Sequence, residues 1–115
     1  MVAFSEVTRK QVERILTTYC SERLAVYLHD EMRLSFGFRG NRVTLYEERA
    51  ALAKSGMWVR IPVAQFRFNH ETKQWTLHWP DRNSKWHEYE FIESSKKFET
   101  LLKEVRDDPK GIFWD

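Results

Sequence analysis

The stretch MRLSFGFRGNRVTLYEE, residues 32–48, decides the fold of this chain. Apolar and polar residues alternate along its first half, which is the period of a half-buried β-strand. Gly40 and Asn41 follow, and both residue types tolerate the positive φ that a two-residue hairpin turn requires. With these two residues as the turn, Phe38 lies opposite Val43, and the apolar side chains of both strands share one face. The stretch therefore predicts an antiparallel hairpin with one buried and one polar face.

Three further segments with strand character follow the hairpin, and polar turns separate them. They are residues 58–68, 74–79 and 85–91. A turn centred near Glu71 places Phe66 opposite Leu77, so the apolar faces of these two segments coincide. Pro62 predicts either an edge position or a β-bulge, because proline cannot donate a hydrogen bond to a sheet.

Helical periodicity marks both ends of the chain. From Ser5 to about Glu22, apolar residues recur at steps of three and four, as they do on one face of a helix. A second stripe follows Ser94 and Ser95, either of which can cap a helix. It ends before Pro109, because the residue before a proline resists the helical conformation. The stripe consists of Phe98, Leu101, Leu102 and Val105.

These segments predict a single α+β domain over residues 1–115. Its sheet is a five-stranded antiparallel meander, and the N-terminal and C-terminal helices pack on one face of that sheet. Two segments stay open: residues 24–30 either extend the first helix or cross to the sheet, and residues 50–57 form a connector that could hold a helical turn. The apolar tail Ile112–Trp114 is expected to dock on the body, because otherwise it would leave an exposed apolar patch.

Composition and charge bound the classes of function. The 115 residues include 19 Lys and Arg against 17 Asp and Glu, a net charge of +2, which permits a local basic patch without demanding a polyanionic partner. Cys20 is the only cysteine in the sequence, so an intramolecular disulfide and a cysteine zinc site are both excluded. No secretory signal is predicted, and the apolar runs are far shorter than the roughly 20 residues of a membrane helix. A cytoplasmic protein without membrane association is expected.

The last hairpin carries the most informative side chains. If Arg82 and Asn83 are its two central residues, His78 lies opposite His87 and Tyr89 shares their polar face. This register predicts a candidate binding face on the sheet. Its residues are Gln65, Arg67, His78, His87 and Tyr89, with Arg82 and Lys85 at the turn and, if the sheet is continuous, Arg33, Tyr46 and Glu48.

Five short segments carry a family resemblance. They are DRNSKWHEY at 81–89, DDPKGIFW at 107–114, WTLHW at 75–79, VTLYE at 43–47 and YCSER at 19–23. Together they resemble a bacterial family called domain of unknown function three thousand and twenty-four, over nearly the whole chain. The most specific parts are Lys85–His87 and Gly111–Trp114. The resemblance implies no activity, substrate or cofactor, so no catalytic residue is taken from it.

Three classes of function stay open. The first is a non-catalytic protein-interaction or regulatory module, because the unpaired edges of an open sheet can add a strand from a protein partner or from a second copy in a homodimer. The second is single-stranded nucleic-acid binding, because such proteins combine cationic and stacking side chains on one surface. The third is an enzyme with His87 as general base. Glu88 and Glu90 are predicted to point away from His87, so no catalytic residue is assigned.

No cofactor and no metal site are predicted. His78 and His87 could supply two zinc ligands across a pair of strands, but a zinc site needs at least one more ligand, and no recognised ligand spacing is present. The sequence also lacks the glycine-flanked serine of hydrolases and a glycine-rich phosphate loop.

Overall fold

The computed structural model describes residues 5–24, 32–50 and 56–114. Most of the two segments that the sequence left open, residues 25–30 and 51–55, lies outside this part. Within it, the chain runs helix, five strands, helix. The elements are α1 (Glu6–Leu24), β1 (Met32–Arg39), β2 (Arg42–Ala50), β3 (Trp58–Asn69), β4 (Gln74–Pro80), β5 (Trp86–Glu88) and α2 (Phe98–Asp107).

The strands form one antiparallel sheet in the order β1-β2-β3-β4-β5, so the predicted α+β meander is confirmed. The predicted register of the first hairpin is also confirmed, because Phe38 pairs with Val43. Gly40 takes the positive φ of the turn, at 59°. Asn41 ties this turn to β3: its Nδ2 donates to the carbonyl of Phe68 at 3.0 Å, and its own carbonyl accepts from the Phe68 N–H at 2.9 Å.

A β-bulge accommodates the proline in β3. The pairing with β2 shifts after Leu45, so that Tyr46 pairs with Pro62 and Val63 is the extra residue. Within the described segments, β3 pairs with β4 only over Gln65–Asn69. Pro62 therefore lies at a bulge and also in the half of the strand that has one neighbour, and both predicted explanations hold.

Both helices lie on one face of the sheet and enclose the core. The apolar stripe of α2 is buried as predicted, and the ring of Phe98 lies 4.6 Å from that of Phe66 and 5.0 Å from that of Trp75, measured between centroids. From α1, the core receives Val12, Leu16 and Tyr19. Across the described segments, no helix has the length and apolar character needed to span a membrane.

The start of α2 differs from the prediction. Its N-cap is Lys97, which makes no capping hydrogen bond with its side chain. The backbone of Ser95 is instead committed to the sheet, where its carbonyl accepts from the Trp75 N–H at 2.7 Å and its N–H donates to the Trp75 carbonyl at 3.1 Å. Because this bridge holds Ser95 extended, the helix begins after it.

The C-terminal tail docks on the body, as predicted. Asp108 ends α2 in the left-handed conformation, at φ 42° and ψ 57°, which aspartate adopts more readily than most residues. Its carboxylate accepts the backbone N–H groups of Ile112 at 2.8 Å, Phe113 at 3.2 Å and Trp114 at 2.9 Å. The Trp114 indole N–H donates to the Val105 carbonyl at 2.8 Å. One aspartate thus ends the helix and anchors the tail.

The register of the last hairpin differs from the prediction by one residue. His78 pairs with Glu88, whereas the sequence predicted His87 opposite it. The cause is the length of the turn, because residues 81–85 rather than two residues connect β4 to β5. The returning strand is also shorter than the predicted segment 85–91.

Asp81 explains the longer turn. Its carboxylate accepts the backbone N–H groups of Asn83 at 2.8 Å and Lys85 at 2.9 Å, and its Oδ2 lies 2.7 Å from Nε2 of His87. Ser84 takes a positive φ of 62° within the turn. An aspartate that bonds the backbone ahead of it stabilises such a turn locally, so the two-residue alternative is displaced.

The one-residue difference moves side chains to the other face, because the side-chain period of a strand is two. Tyr89 was predicted on the polar face but is buried at 1% exposure, and its hydroxyl donates to Oε2 of Glu104 at 2.7 Å. His87 lies on the helix side, where its ring stacks on Trp79 with 4.7 Å between centroids. The predicted positions of His87 and Tyr89 are therefore wrong.

Replacing Tyr89 with alanine is expected to lower the free energy of unfolding by about 3–5 kcal/mol, because a buried ring is lost. Glu88→Ala, at the adjacent exposed position, should change it by no more than about 0.5 kcal/mol. Urea unfolding followed by tryptophan fluorescence measures both. A large loss of stability in Glu88→Ala with a small loss in the Tyr89 variant would instead support the register expected from the sequence.

Candidate functional site

The face of the sheet opposite the helices is polar, and strand pairing sets its side chains in rows across the strands. Directly opposed residues have Cβ atoms about 4.5–5.5 Å apart. The arginine row consists of Arg39, Arg42 and Arg67. The central row consists of Gly37, Thr44, Gln65, His78 and Glu88. The Glu48 row consists of Arg33, Glu48 and Arg60. We call this surface, with Ser35, Tyr46, Trp58, Thr76 and Trp86, the polar face.

Charges in the Glu48 row are paired. Glu48 is buried at 5% exposure and accepts from Arg33 Nε at 2.9 Å, Arg60 Nε at 3.3 Å and the Ser35 hydroxyl at 2.6 Å. The hydrogen bond from Ser35 lowers the pKa of Glu48, and burial opposes this effect. The hydrogen bond from Arg33 and the charges of Arg33 and Arg60 add to the lowering, so the pKa of Glu48 stays below its ordinary value. The Arg33 guanidinium also lies over the ring of Trp58, 3.9 Å from its centroid. Both arginines of this row are thus paired with one carboxylate, which offsets part of their charge.

The arginine row has no comparable counter-ion. Arg42 lies in register between Arg39 and Arg67, and none of the three forms an ion pair with a described residue. Nε of Arg42 is buried without a hydrogen-bond partner in the described part of the chain. Nε of Arg67 donates to Oε1 of Gln65 at 2.8 Å. Burial, and then the charge of Arg42, lowers the pKa of Arg67 against the opposing effect of Glu88. The three guanidinium groups of this row therefore repel one another, and no described carboxylate forms an ion pair with them.

Uncharged hydrogen bonds connect the central row. Nε2 of Gln65 donates to the hydroxyl of Thr44 at 3.0 Å, and both side chains are buried. Nε2 of His78 lies 2.9 Å from the hydroxyl of Thr76. Burial, and then the positive charges of the arginine row, lowers the pKa of His78 to about 4. His78 is consequently neutral at pH 7, and the central row is polar but uncharged from Thr44 to His78, before Glu88 at its β5 end.

Two cavities open on the polar face. The first, of about 620 Å³, is called the arginine-lined cavity, and no carboxylate is among the described residues that line it. Its lining includes Arg39, Arg42, Arg60, Thr44, Gln65, Tyr46 and Trp86. The second, of about 590 Å³, is mixed in charge, because Glu71 and Glu88 line it together with Arg67 and His78. The first cavity is thus the one suited to an anion.

The structure places part of the predicted candidate face on one surface. Gln65, Arg67 and His78 lie on the polar face as predicted. The three conditional residues, Arg33, Tyr46 and Glu48, also lie there because the sheet is continuous. Arg82 and Lys85 are exposed in the turn. His87 and Tyr89 belong to the other side of the sheet, as described above.

The sequence predictions did not include Arg39, Arg42, Arg60 or Trp86. A signal for the first two was present, because the register predicted for the first hairpin already pairs Arg39 with Arg42 on the polar side. Placing Arg60 required the position of the bulge, and placing Trp86 required the length of the last turn. Neither is encoded in the alternation of a single strand.

A carboxylate lies within reach of His87, but the pair serves the turn. Asp81 contacts His87 and accepts the backbone N–H groups of the turn. The hydrogen bond with His87, followed by those from the turn, lowers the pKa of Asp81. His87 lines neither cavity of the polar face.

Burial raises the pKa of the Cys20 thiol to about 11, so this thiol is protonated and a poor nucleophile at pH 7. Among the described residues, no three His, Cys, Asp or Glu side chains are grouped to hold a metal ion.

The fold and the polar face define a small α+β domain in which an arginine-rich sheet surface is the candidate site. The chain belongs to the family described as Domain of unknown function (DUF3024), whose model matches residues 4–115. The resemblance carried by the five segments is therefore confirmed. Comparisons with curated proteins and with solved structures found no match. Family membership names no activity.

Glu48→Gln is expected to lower the free energy of unfolding by about 1–3 kcal/mol at pH 7, because hydrogen bonds to a charged group are weakened. The pKa of Glu48 is lowered by folding from its ordinary 4.5. Its stabilising effect is therefore complete above that pH and is lost as the pH falls through the folded pKa. Denaturant unfolding between pH 3 and pH 7 measures the difference.

The control for this prediction is Glu13→Gln, which removes an exposed carboxylate from α1. The stability difference between wild type and Glu48→Gln should shrink below about pH 4.5, whereas that for Glu13→Gln should stay small throughout. If the two variants gave the same pH profile, Glu48 would not hold the row together.

Proposed function

We propose that this protein binds single-stranded nucleic acid on the polar face of its sheet. The arginine row is the observation that carries the proposal. Like charges that oppose each other directly on neighbouring strands are destabilising, and three arginines do so here without an ion pair to any described residue. A bound phosphate backbone would supply the missing negative charge and release counter-ions, which is the main source of affinity in such complexes.

Aromatic side chains on the same surface support a single strand rather than a duplex. Tyr46, Trp58 and Trp86 lie on the polar face, among the arginines. Proteins that bind single strands combine a cationic surface with rings on which unpaired bases stack. In a duplex the bases are already stacked on each other, so these rings would have no partner.

The distribution of charge also supports the proposal, although the chain as a whole carries only +2. The three rows hold five arginines against two glutamates. These residues are Arg33, Arg39, Arg42, Arg60, Arg67, Glu48 and Glu88. The positive charge is therefore segregated on one face, and a near-neutral composition does not argue against a local phosphate site.

A protein partner at the half of β3 that does not pair with β4 is the second candidate. The observation that favours it is a set of exposed apolar side chains where β3 lacks β4 as a neighbour. These are Met57 at 51%, Val59 at 50% and Ile61 at 41% exposure. A strand from a partner or from a second copy could pair there. Val59→Lys with Ile61→Lys should then abolish association in a sedimentation experiment. An unchanged complex would exclude this edge.

We place the protein in the bacterial cytoplasm. The bacterial source rests on the family resemblance of the sequence. The compartment is supported by Cys20, which is a free thiol, since thiols stay reduced in the cytoplasm. Single-stranded RNA is abundant there, so the proposed ligand and the protein would meet.

The proposal is tested with the double variant Arg39→Gln and Arg42→Gln. Fluorescence anisotropy with a labelled single-stranded oligonucleotide of about 15 nucleotides gives the affinity at several salt concentrations. The variant should bind at least about tenfold more weakly, because two phosphate contacts are lost. The slope of log K against log salt should fall by about 1.4, since each contact to a single strand contributes about 0.7.

The matched control is Arg14→Gln with Arg106→Gln, which removes the same charge from the two helices. This control should retain the affinity and most of the salt slope of the wild type. An equal loss in both variants would mean that net charge alone drives binding. If the wild type failed to bind at low salt, the proposal would be wrong.

A further inference from the structure

Gly37 is among the residues that line the arginine-lined cavity. Gly37 lies opposite Thr44, and it is the only position of the central row without a side chain. Glycine within a strand often marks a place where a ligand approaches the backbone closely. The volume of about 620 Å³ lies in the range of pockets that hold small molecules. A strand laid over a flat sheet would need no such depression.

The cationic wall of the cavity offers donors that the described part of the protein leaves unused. Arg60 is partly engaged, because its Nε donates to Glu48 at 3.3 Å. Arg39 forms no ion pair with a described residue, and the buried Nε of Arg42 has no hydrogen-bond acceptor among them. A phosphate group presents several strong acceptors, and the planar guanidinium matches its geometry. Phosphate is therefore the group best suited to this wall.

The aromatic wall favours one ring over the other. The guanidinium of Arg60 already covers Tyr46, at 4.6 Å from the ring centroid. The Trp86 indole, in contrast, is half-buried and has no ring or cation contact with a described residue. An indole offers a broad surface on which a nucleic-acid base can stack. Trp86 is thus the better stacking partner.

The floor of the cavity is polar and partly unsatisfied. The hydroxyl of Thr44 accepts from Gln65, and the carbonyl of Gln65 accepts from Arg67. Among the described residues, no acceptor takes the hydroxyl proton of Thr44 or the second amide N–H of Gln65, so both can donate to a ligand. Donors at the floor suit the polar edge of a base.

We infer that the arginine-lined cavity is a subsite for one nucleotide, with its phosphate at Arg39 and Arg42 and its base on Trp86. The inference rests on the proposed function and makes it more specific. Phosphate and base contact different walls, so both parts of the nucleotide contribute to affinity. A free nucleoside monophosphate should therefore bind the cavity, and more tightly than either of its halves.

Nuclear magnetic resonance titration of the isotope-labelled protein tests this with 5′-AMP, adenosine and inorganic phosphate. The dissociation constant for 5′-AMP should be at least about tenfold lower than for the other two, which corresponds to about 1.4 kcal/mol. Chemical-shift changes should be concentrated at the amides of Gly37 and Thr44 and at the indole N–H of Trp86. Phosphate binding as tight as that of 5′-AMP would overturn the nucleotide assignment.

Gly37→Val blocks the cavity without changing a charge. A Cβ at this position would lie 3.9 Å from the Tyr46 ring, an ordinary contact, and a β-branched residue suits a strand. The variant should keep the thermal stability of the wild type and lose at least about tenfold in affinity for 5′-AMP. Trp86→Leu provides an independent variant and should lower the affinity for 5′-AMP by a similar factor. Phe91→Leu, at an exposed ring that does not line the cavity, should leave the affinity for 5′-AMP unchanged.

The outcomes separate this inference from the proposed function. If the oligonucleotide binds through Arg39 and Arg42 but 5′-AMP does not bind, the subsite is wrong and the proposed function stands. The same holds if Gly37→Val and Trp86→Leu both bind 5′-AMP as the wild type does. If neither the oligonucleotide nor 5′-AMP binds, the proposed function fails as well.

Discussion

The pairing of β2 with both of its neighbours assigns every side chain of the sheet to one of two faces. Val43 and Leu45 point towards the helices and are fully buried, whereas Thr44 and Tyr46 point to the polar face. Because both helices cover the same side, the other side is stabilised by its own side chains. The hydrogen bond between Gln65 and Thr44 is an example. The candidate site is a product of this one-sided arrangement.

The two ends of the polar face differ in whether their arginines are paired with a carboxylate. Each end has arginines on more than one strand, but only one end contains Glu48, which lies between Arg33 and Arg60 and binds both. The arginine row lacks such a carboxylate in the described part of the chain. A solvated surface with no ligand would gain from the same pairing at both ends. The contrast within one face therefore argues for a bound anion more strongly than the number of arginines does.

The sequence predicted the elements and the first hairpin well, because a two-residue turn at Gly40 leaves one register that buries the apolar side chains. It failed at the last hairpin, where the turn after Pro80 can close over two residues or over five. The carboxylate of Asp81 decides between these lengths through bonds that no periodicity reveals. One error of one residue then misplaced both His87 and Tyr89 and concealed Trp86. Arg67 and His78 were placed correctly because their strands pair through a short turn.

The meander connects each strand to the next one along the chain, and its turns are short. Pairing can therefore proceed between sequence neighbours, with little chain entropy lost in closing each loop. The meander thus avoids the long crossover connections that slow the formation of parallel sheets. The contact between the Arg23 guanidinium and the Trp114 ring, 5.1 Å from its centroid, is different, because it joins the first helix to the last residues of the chain. We expect α1 and the segment after α2 to meet late in folding, after the sheet on which both rest has formed.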